Sequence, residues 1–165
     1  MNRKILFVCL GNICRSPIAE GIFAHLCKER NLDGRYQADS AGTGDWHVGE
    51  RPDPRSIAVA HKHGVQLPSI GRQVKPMDFS EYDMLVAMDH SNQRDLISQC
   101  PSSLRSKIHL MRDYGLVNDK GLDVPDPYYG GADGFDEVYA ILRRSCIGLL
   151  DTLESETRPS DVAKA

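Results

Sequence analysis

An α/β fold built on a parallel sheet is what this sequence predicts, from three observations. Ile5-Leu6-Phe7-Val8 is a short continuous apolar run, the pattern of a strand covered on both faces, as parallel sheets require. Strand-like and helix-like patterns alternate along the whole chain, which points to β-α-β units rather than hairpins. A glycine-containing turn and a proline-started helix follow the first strand directly. A right-handed crossover then lays the second strand beside the first and parallel to it.

Each element has its own signal. Ser16-Pro17 starts the first helix, because proline is tolerated where the backbone donor would be unpaired anyway, and Ile18, Ile22 and Leu26 follow at helical spacing. Asn31 to Gly34 is a polar turn, and Tyr36 to Ala41 alternates as a second strand ended by Gly42. Gly44 to Pro54 is a long polar loop carrying the single tryptophan, Trp46, whose neighbours Asp45, His47 and Gly49 suit a surface or cleft better than a core. Asp53-Pro54 should cap the next helix, with Ile57, Ala58 and Ala60 inward and Gly64 closing it. Val65 to Asp78 reads as loop, with Arg72 and Lys75 exposed. Tyr82 to Met88 is a third strand, Asp89 to Asn92 its exit into a capped helix running to about Gln99, and Lys107 to Met111 a fourth strand. Arg112 to Gly134 is long for a loop in a compact domain, a length more often functional than idle. Phe135, Val138, Leu142, Cys146, Leu149 and Leu153 then mark an amphipathic last helix. The expected organisation is one domain, residues 1–156, with a polar, disordered tail over 157–165.

At 165 residues and 18.4 kDa the chain is long enough to bury a real core. Hydrophobic residues at 41% and charged residues at 26% exclude a disordered or membrane-embedded class, and a net charge of −3 offers no global attraction to nucleic acid or anionic lipid. No apolar stretch approaches about 18 residues, and the N-terminus lacks a secretory pattern, so a cytoplasmic location is expected. The five cysteines, Cys9, Cys14, Cys27, Cys100 and Cys146, are odd in number and lack a C-x-x-C pair, which points to a reducing compartment rather than a disulfide scaffold or zinc ribbon. Cys27 and Cys146 fit apolar helix faces, and Cys100 the end of a helix. His61 and His63, two apart on a helix, face different ways and have no cysteine or carboxylate to complete a metal site.

The chemistry concentrates between the first strand and the first helix, in Cys9-Leu10-Gly11-Asn12-Ile13-Cys14-Arg15-Ser16. A loop closing onto a helix N-terminus turns several backbone N–H groups toward one point, where the helix dipole adds partial positive charge. A thiol at the first position of that loop is favoured as thiolate, and an arginine at its far end can hold two phosphate oxygens at once. The loop is thus an anion site with a nucleophile in it. It is not a nucleotide-binding P-loop, which needs G-x-x-x-x-G-K-[ST]. In a doubly wound sheet ligands bind beyond the carboxyl ends of the strands. Cys9, Trp46, Asp89 and the loop Asp126-Pro127-Tyr128-Tyr129-Gly130-Gly131 follow strands one to four on that edge.

Those motifs, CLGNICRSP, DSAGT, DWHVGERPDPR, MDHSNQRDL and DPYYGG, closely resemble the low molecular weight protein tyrosine phosphatases over essentially the whole chain and in the family's order. The resemblance implies a flavodoxin-like three-layer sandwich, its four-stranded parallel sheet in the order 2-1-3-4, and hydrolysis of phosphotyrosine. It implies Cys9 as nucleophile, Arg15 as phosphate clamp and Asp126 as general acid, with Asn12, Ser16 and Ser40 supporting the loop and Trp46, Tyr128 and Tyr129 lining the mouth. Where some members place a histidine in the supporting network, this chain offers Ser69. No cofactor or metal is implied. The expected partners are phosphotyrosine-containing proteins, with no nucleic acid or membrane partner and at most weak self-association.

Cys14 reads either as a small loop filler or as a thiol that forms a disulfide with oxidised Cys9, and the redox role is favoured. Two other functions use the same features. An arsenate reductase of this fold passes oxidation through two further late cysteines, but the region from Met84 to Ser98 has none and Cys100 stands alone. A non-catalytic phosphotyrosine-binding module would have lost the nucleophile or acid, yet Cys9, Arg15 and Asp126 are all present.

Overall fold

The structure, a computed structural model, describes residues 2–131 and 133–157. Four strands, β1 (Arg3–Cys9), β2 (Tyr36–Gly42), β3 (Met84–Ala87) and β4 (Ile108–Leu110), form one parallel sheet in the order β2-β1-β3-β4. The helices are α1 (Arg15–Glu29), α2 (Pro54–Lys62), α3 (Asp78–Glu81), α4 (His90–Gln99) and α5 (Asp133–Thr157). The α/β class and the strand order are as expected.

Alternation along the strands builds two cores. Ile5, Phe7 and Cys9 of β1 and Met84 and Val86 of β3 face α1, α2 and α5, where Phe7 meets Phe23 at a centroid distance of 5.7 Å. Leu6, Val8, Leu85 and Ala87 face Phe79, Tyr82, Leu96 and Cys100 on the other side. The helices thus cover both faces of the sheet. This is why β1 reads as continuously apolar, since every one of its side chains from Ile5 to Cys9 is buried.

Three details differ from expectation. In α2 the inward positions are Ser56, Val59 and Ala60, while Ala58 is exposed and Ile57 half-buried. The face is set by Ser56, whose hydroxyl donates to the Cys14 carbonyl at 3.5 Å. Arg72 is half-buried rather than exposed, because its guanidinium donates to Asp39 and Asp78. The segment after β4 contains two 3₁₀ turns, Met111–Tyr114 and Val117–Asp119, anchored to α5 through buried Asp119. Of the tail expected from 157, Thr157 ends α5, and 158–165 lie outside the described residues.

Candidate active site

Cys9 ends β1 beside Gly42 of β2, and the chain turns there at once. A Cβ on Gly42 would lie 2.8 Å from the Leu10 carbonyl oxygen, so the turn needs glycine on the neighbouring strand. The loop is stapled from outside: Thr43 N–H donates to the Cys9 carbonyl (2.9 Å), Gly44 N–H to that of Leu10 (2.9 Å) and Asp53 N–H to that of Ile13 (2.8 Å). With those carbonyls occupied, the Asn12 N–H points inward and donates to Cys9 Sγ at 3.3 Å. Ser16 Oγ lies 3.1 Å from the same sulfur. The backbone N–H of Asn12 and the hydroxyl of Ser16 thus both meet the sulfur at the base of the loop.

Asn12 holds the shape. Its φ of 58° lies in the left-handed region, which asparagine tolerates better than most side chains. Its Nδ2 donates to Ser16 Oγ (2.8 Å), and its Oδ1 accepts from the Arg72 backbone N–H (3.0 Å). Ser40 is not part of this group: its hydroxyl donates to Glu20 at 2.5 Å, so the support expected from it comes instead from Arg72. Ser69 offers its carbonyl to Arg51.

Arg15 opens α1 and is only 2% exposed. A buried cation needs compensation, and its Nη1 donates both to Asp89 Oδ2 (2.7 Å) and to the Val124 carbonyl (2.8 Å). Burial alone would lower its pKa, but the negative fields of Cys9, Asp89 and Asp126 raise it above the ordinary arginine value. Nη2 lies 3.8 Å from Asp126 Oδ2. Asp126 also accepts from the Tyr128 N–H through Oδ1 (3.1 Å), a local turn that fixes the carboxyl at the lip of the site.

These groups surround a cleft of about 370 Å³, with Cys9 and Arg15 at its base, Asp126 at its rim, and Trp46, Tyr128 and Tyr129 as walls. The two tyrosines meet edge to face at 4.8 Å. The Trp46 ring covers Gly44, where a Cβ would fall 1.9 Å from the ring. Cys14 also lines the cleft but is buried, and burial, with the nearby charges of Asp53 and Cys9, pushes its thiol up to about 12.

Several neighbours of the site were not singled out from sequence as working there. Asp89 is placed there on the ligand-binding edge and read as a helix cap, with no partner in the site. It does cap α4, Oδ1 accepting from Asn92 N–H (2.7 Å), but its other oxygen holds Arg15. Its place at the end of β3 on the ligand-binding edge was legible, but its bond to Arg15 was not. His47 lines the cleft 6.4 Å from the Tyr128 ring, and Arg55 stacks 5.5 Å from that ring while pairing with Asp53. Among the described residues no group of three or more His, Cys, Asp or Glu is placed to hold a metal ion.

The family model for low molecular weight phosphotyrosine protein phosphatases matches residues 4–159. A low molecular weight phosphotyrosine protein phosphatase of Schizosaccharomyces pombe is 44% identical over 84% of this chain and 88% of its own length. A low molecular weight protein-tyrosine-phosphatase of Streptomyces coelicolor is 42% identical over 94% of this chain and 96% of its own. The crystal structure of a protein tyrosine phosphatase from Entamoeba histolytica, with Hepes in its active site, superposes with a TM-score of 0.90 at 42% identity, covering 94% of this chain and 99% of that one. The chain belongs to the low molecular weight phosphotyrosine protein phosphatase family.

Proposed function

We propose that this chain, as a single domain over residues 1–156, hydrolyses phosphotyrosine in proteins through a cysteinyl-phosphate intermediate. The observation that carries this reading is the placement of Cys9 Sγ and Arg15 at the base of an aromatic-walled cleft with Asp126 at its rim. Cys9 attacks phosphorus in line while Arg15 and the loop N–H groups stabilise the equatorial oxygens. The bond from phosphorus to the phenolic oxygen breaks, and that oxygen takes the proton of Asp126, since a tyrosine leaving group has a conjugate pKa of about 10. A water then attacks phosphorus and gives its proton to the Asp126 carboxylate, and the sulfur leaves as thiolate. Trp46, Tyr128 and Tyr129 favour a long flat phosphotyrosine, whereas phosphoserine is too short to bring its phosphate to Cys9. Cys100 is buried at the end of α4, and Cys27 and Cys146 lie in the core, so among the described residues only Cys14 joins Cys9 at the cleft, which disfavours an arsenate reductase.

The test is kcat/KM for phosphotyrosine and phosphoserine peptides. Cys9→Ser should abolish turnover, and Asp126→Ala should lower it about a hundredfold or more for phosphotyrosine. An inert wild type, a turning-over Cys9→Ser or a preference for phosphoserine overturns the reading.

Cys14 is the redox partner of Cys9 in this reading. Peroxide converts the Cys9 thiolate to a sulfenic acid, and attack by Cys14 sulfur releases water and forms the disulfide, which a thiol reductant reverses. Burial first, then the charges of Asp53 and Cys9, hold the Cys14 thiol protonated, and oxidation of Cys9 removes the last of these. Cys14→Ser should therefore make peroxide inactivation permanent; full recovery of that variant with dithiothreitol would show that Cys14 has no such role. The setting is a reducing, cytoplasmic one, and the chain acts there as a monomer or weakly associating species.

A further inference from the structure

The segment that carries Asp126 leaves the sheet at β4 and returns at α5, and its middle is held at two adjacent residues. Val124 is buried, its N–H donating to the Met88 carbonyl (2.8 Å) and its own carbonyl accepting from Arg15. Asp123 Oδ1 accepts twice from one residue, the His90 backbone N–H (2.9 Å) and the His90 ring Nδ1 (2.6 Å), while the Asp123 carbonyl accepts from Arg112 (2.9 Å). A carboxylate only accepts, so Nδ1 is the donor in this contact. Burial raises the pKa of Asp123, but the hydrogen bonds and charge of His90 and the charge of Arg15 outweigh it and hold the carboxyl below its ordinary range.

His90 directly follows Asp89. Consecutive residues at the start of α4 therefore grip the two halves of the chemistry: Asp89 holds the phosphate clamp, and His90 holds the segment three residues before the general acid. Pro125 lies between Val124 and Asp126 and restricts the backbone there. The His90 and Asp123 side chains are 47% and 54% exposed, so the pair adds little to global stability, and its effect is local.

We propose that His90 is a positioning residue for Asp126, acting through Asp123 to hold the acid over the leaving-group oxygen. This rests on the reading of Asp126 as general acid. Loss of the imidazole then slows departure of a poor leaving group while leaving phosphate capture by Cys9 and Arg15 intact.

The experiment compares kcat/KM for phenyl phosphate, which needs a proton on its leaving oxygen, with that for p-nitrophenyl phosphate, whose more acidic phenol needs it far less. His90→Ala should lower the phenyl phosphate value about fivefold and the p-nitrophenyl phosphate value by less than about twofold, the size expected of one exposed charge-assisted pair. His90→Asn, whose Nδ2 can replace Nδ1 as donor, should restore most of the phenyl phosphate rate. Equal losses on both substrates, no loss on either, or failure of asparagine to rescue overturns the assignment of His90. Asp126→Ala is the control. If it too shows no selective loss on phenyl phosphate, the general-acid reading fails and the role of His90 with it; a strongly selective Asp126→Ala beside an unselective His90→Ala overturns the role of His90 alone.

Discussion

The loop from Cys9 to Ser16 and the segment from Met111 to Gly131 meet at one cleft, but they are built in opposite ways. The first is contiguous, buried and closed by its own neighbours: Asn12, Arg15 and Ser16 are all nearly inaccessible, and three of its carbonyls are stapled to adjacent chain. The second is long and open, reaching 91% exposure at Tyr129, and it is fixed by a few distant contacts through Asp119, Asp123 and Val124. The difference follows from what each must recognise. A phosphoryl group offers the same oxygens in every substrate, so its donors can be rigid and preorganised. The leaving group and its surroundings vary, and the side chains that meet them sit on an exposed rim.

The comparison breaks most severely if the rim's anchor is removed. Asp119 accepts from Arg112 Nη2 (2.5 Å), from Arg144 Nε and Nη2 (both 2.7 Å) and from the Leu116 N–H (2.9 Å). The Arg144 hydrogen bonds, with those from Arg112 and against the opposing effect of burial, hold its carboxyl well below the usual range. Asp119→Ala leaves the Arg112 and Arg144 guanidinium groups without this partner and should cost about 3 kcal/mol, less than a fully buried pair because Arg144 is partly exposed. That corresponds to a Tm lower by roughly 6–12 °C for a chain of this size. A group with a depressed folded pKa stabilises above its unfolded value of about 3.9 and loses that contribution as pH falls toward the folded one, so the gap between wild type and variant should narrow only below about pH 4. Turnover of p-nitrophenyl phosphate by the still-folded variant at 25 °C should stay within about twofold, because Cys9 and Arg15 do not depend on Asp119. A tenfold loss with an unmoved Tm would mean that the two regions are not separable in this way.

The same contrast decided what could be read from the chain. The Cys9 loop is legible because its parts adjoin in sequence, each with a local physical signature: an apolar strand, Gly11 and Asn12 in the turn, and Pro17 in the first helical turn. The apolar run from Ile5 to Val8, with strand-like and helix-like patterns alternating after it, also pointed to the α/β class. What escaped depends on distance in sequence. Asp89 has two oxygens and two tasks, and only the cap is local, while its bond to Arg15 joins residues 74 apart. Arg72 resembles any surface arginine until Asp39 and Asp78 converge on it from β2 and α3. Ser40 shows the reverse error, a resemblance that assigned it to the loop where its hydroxyl meets Glu20.

A smaller perturbation, Asp89→Asn, acts where the two regions touch. Asparagine keeps an oxygen for the Asn92 N–H, so α4 stays capped, but the ion pair with Arg15 is lost. Two consequences then oppose each other. Asp89 compensates the guanidinium when the cleft holds no anion, and in that role it competes with phosphate, so its neutralisation should tighten competitive inhibition by inorganic phosphate about threefold. It also aims Arg15 through the 2.7 Å contact, and a less constrained guanidinium stabilises the equatorial oxygens less well in the transition state, so kcat should fall about tenfold. Tighter phosphate with slower turnover is a combination that general loosening of the site does not produce, since loosening weakens both. Tighter phosphate inhibition at unchanged kcat would show that Asp89 only neutralises Arg15 and that the guanidinium is aimed by the Val124 carbonyl, which would place part of the phosphate clamp under the control of the rim segment rather than the buried loop.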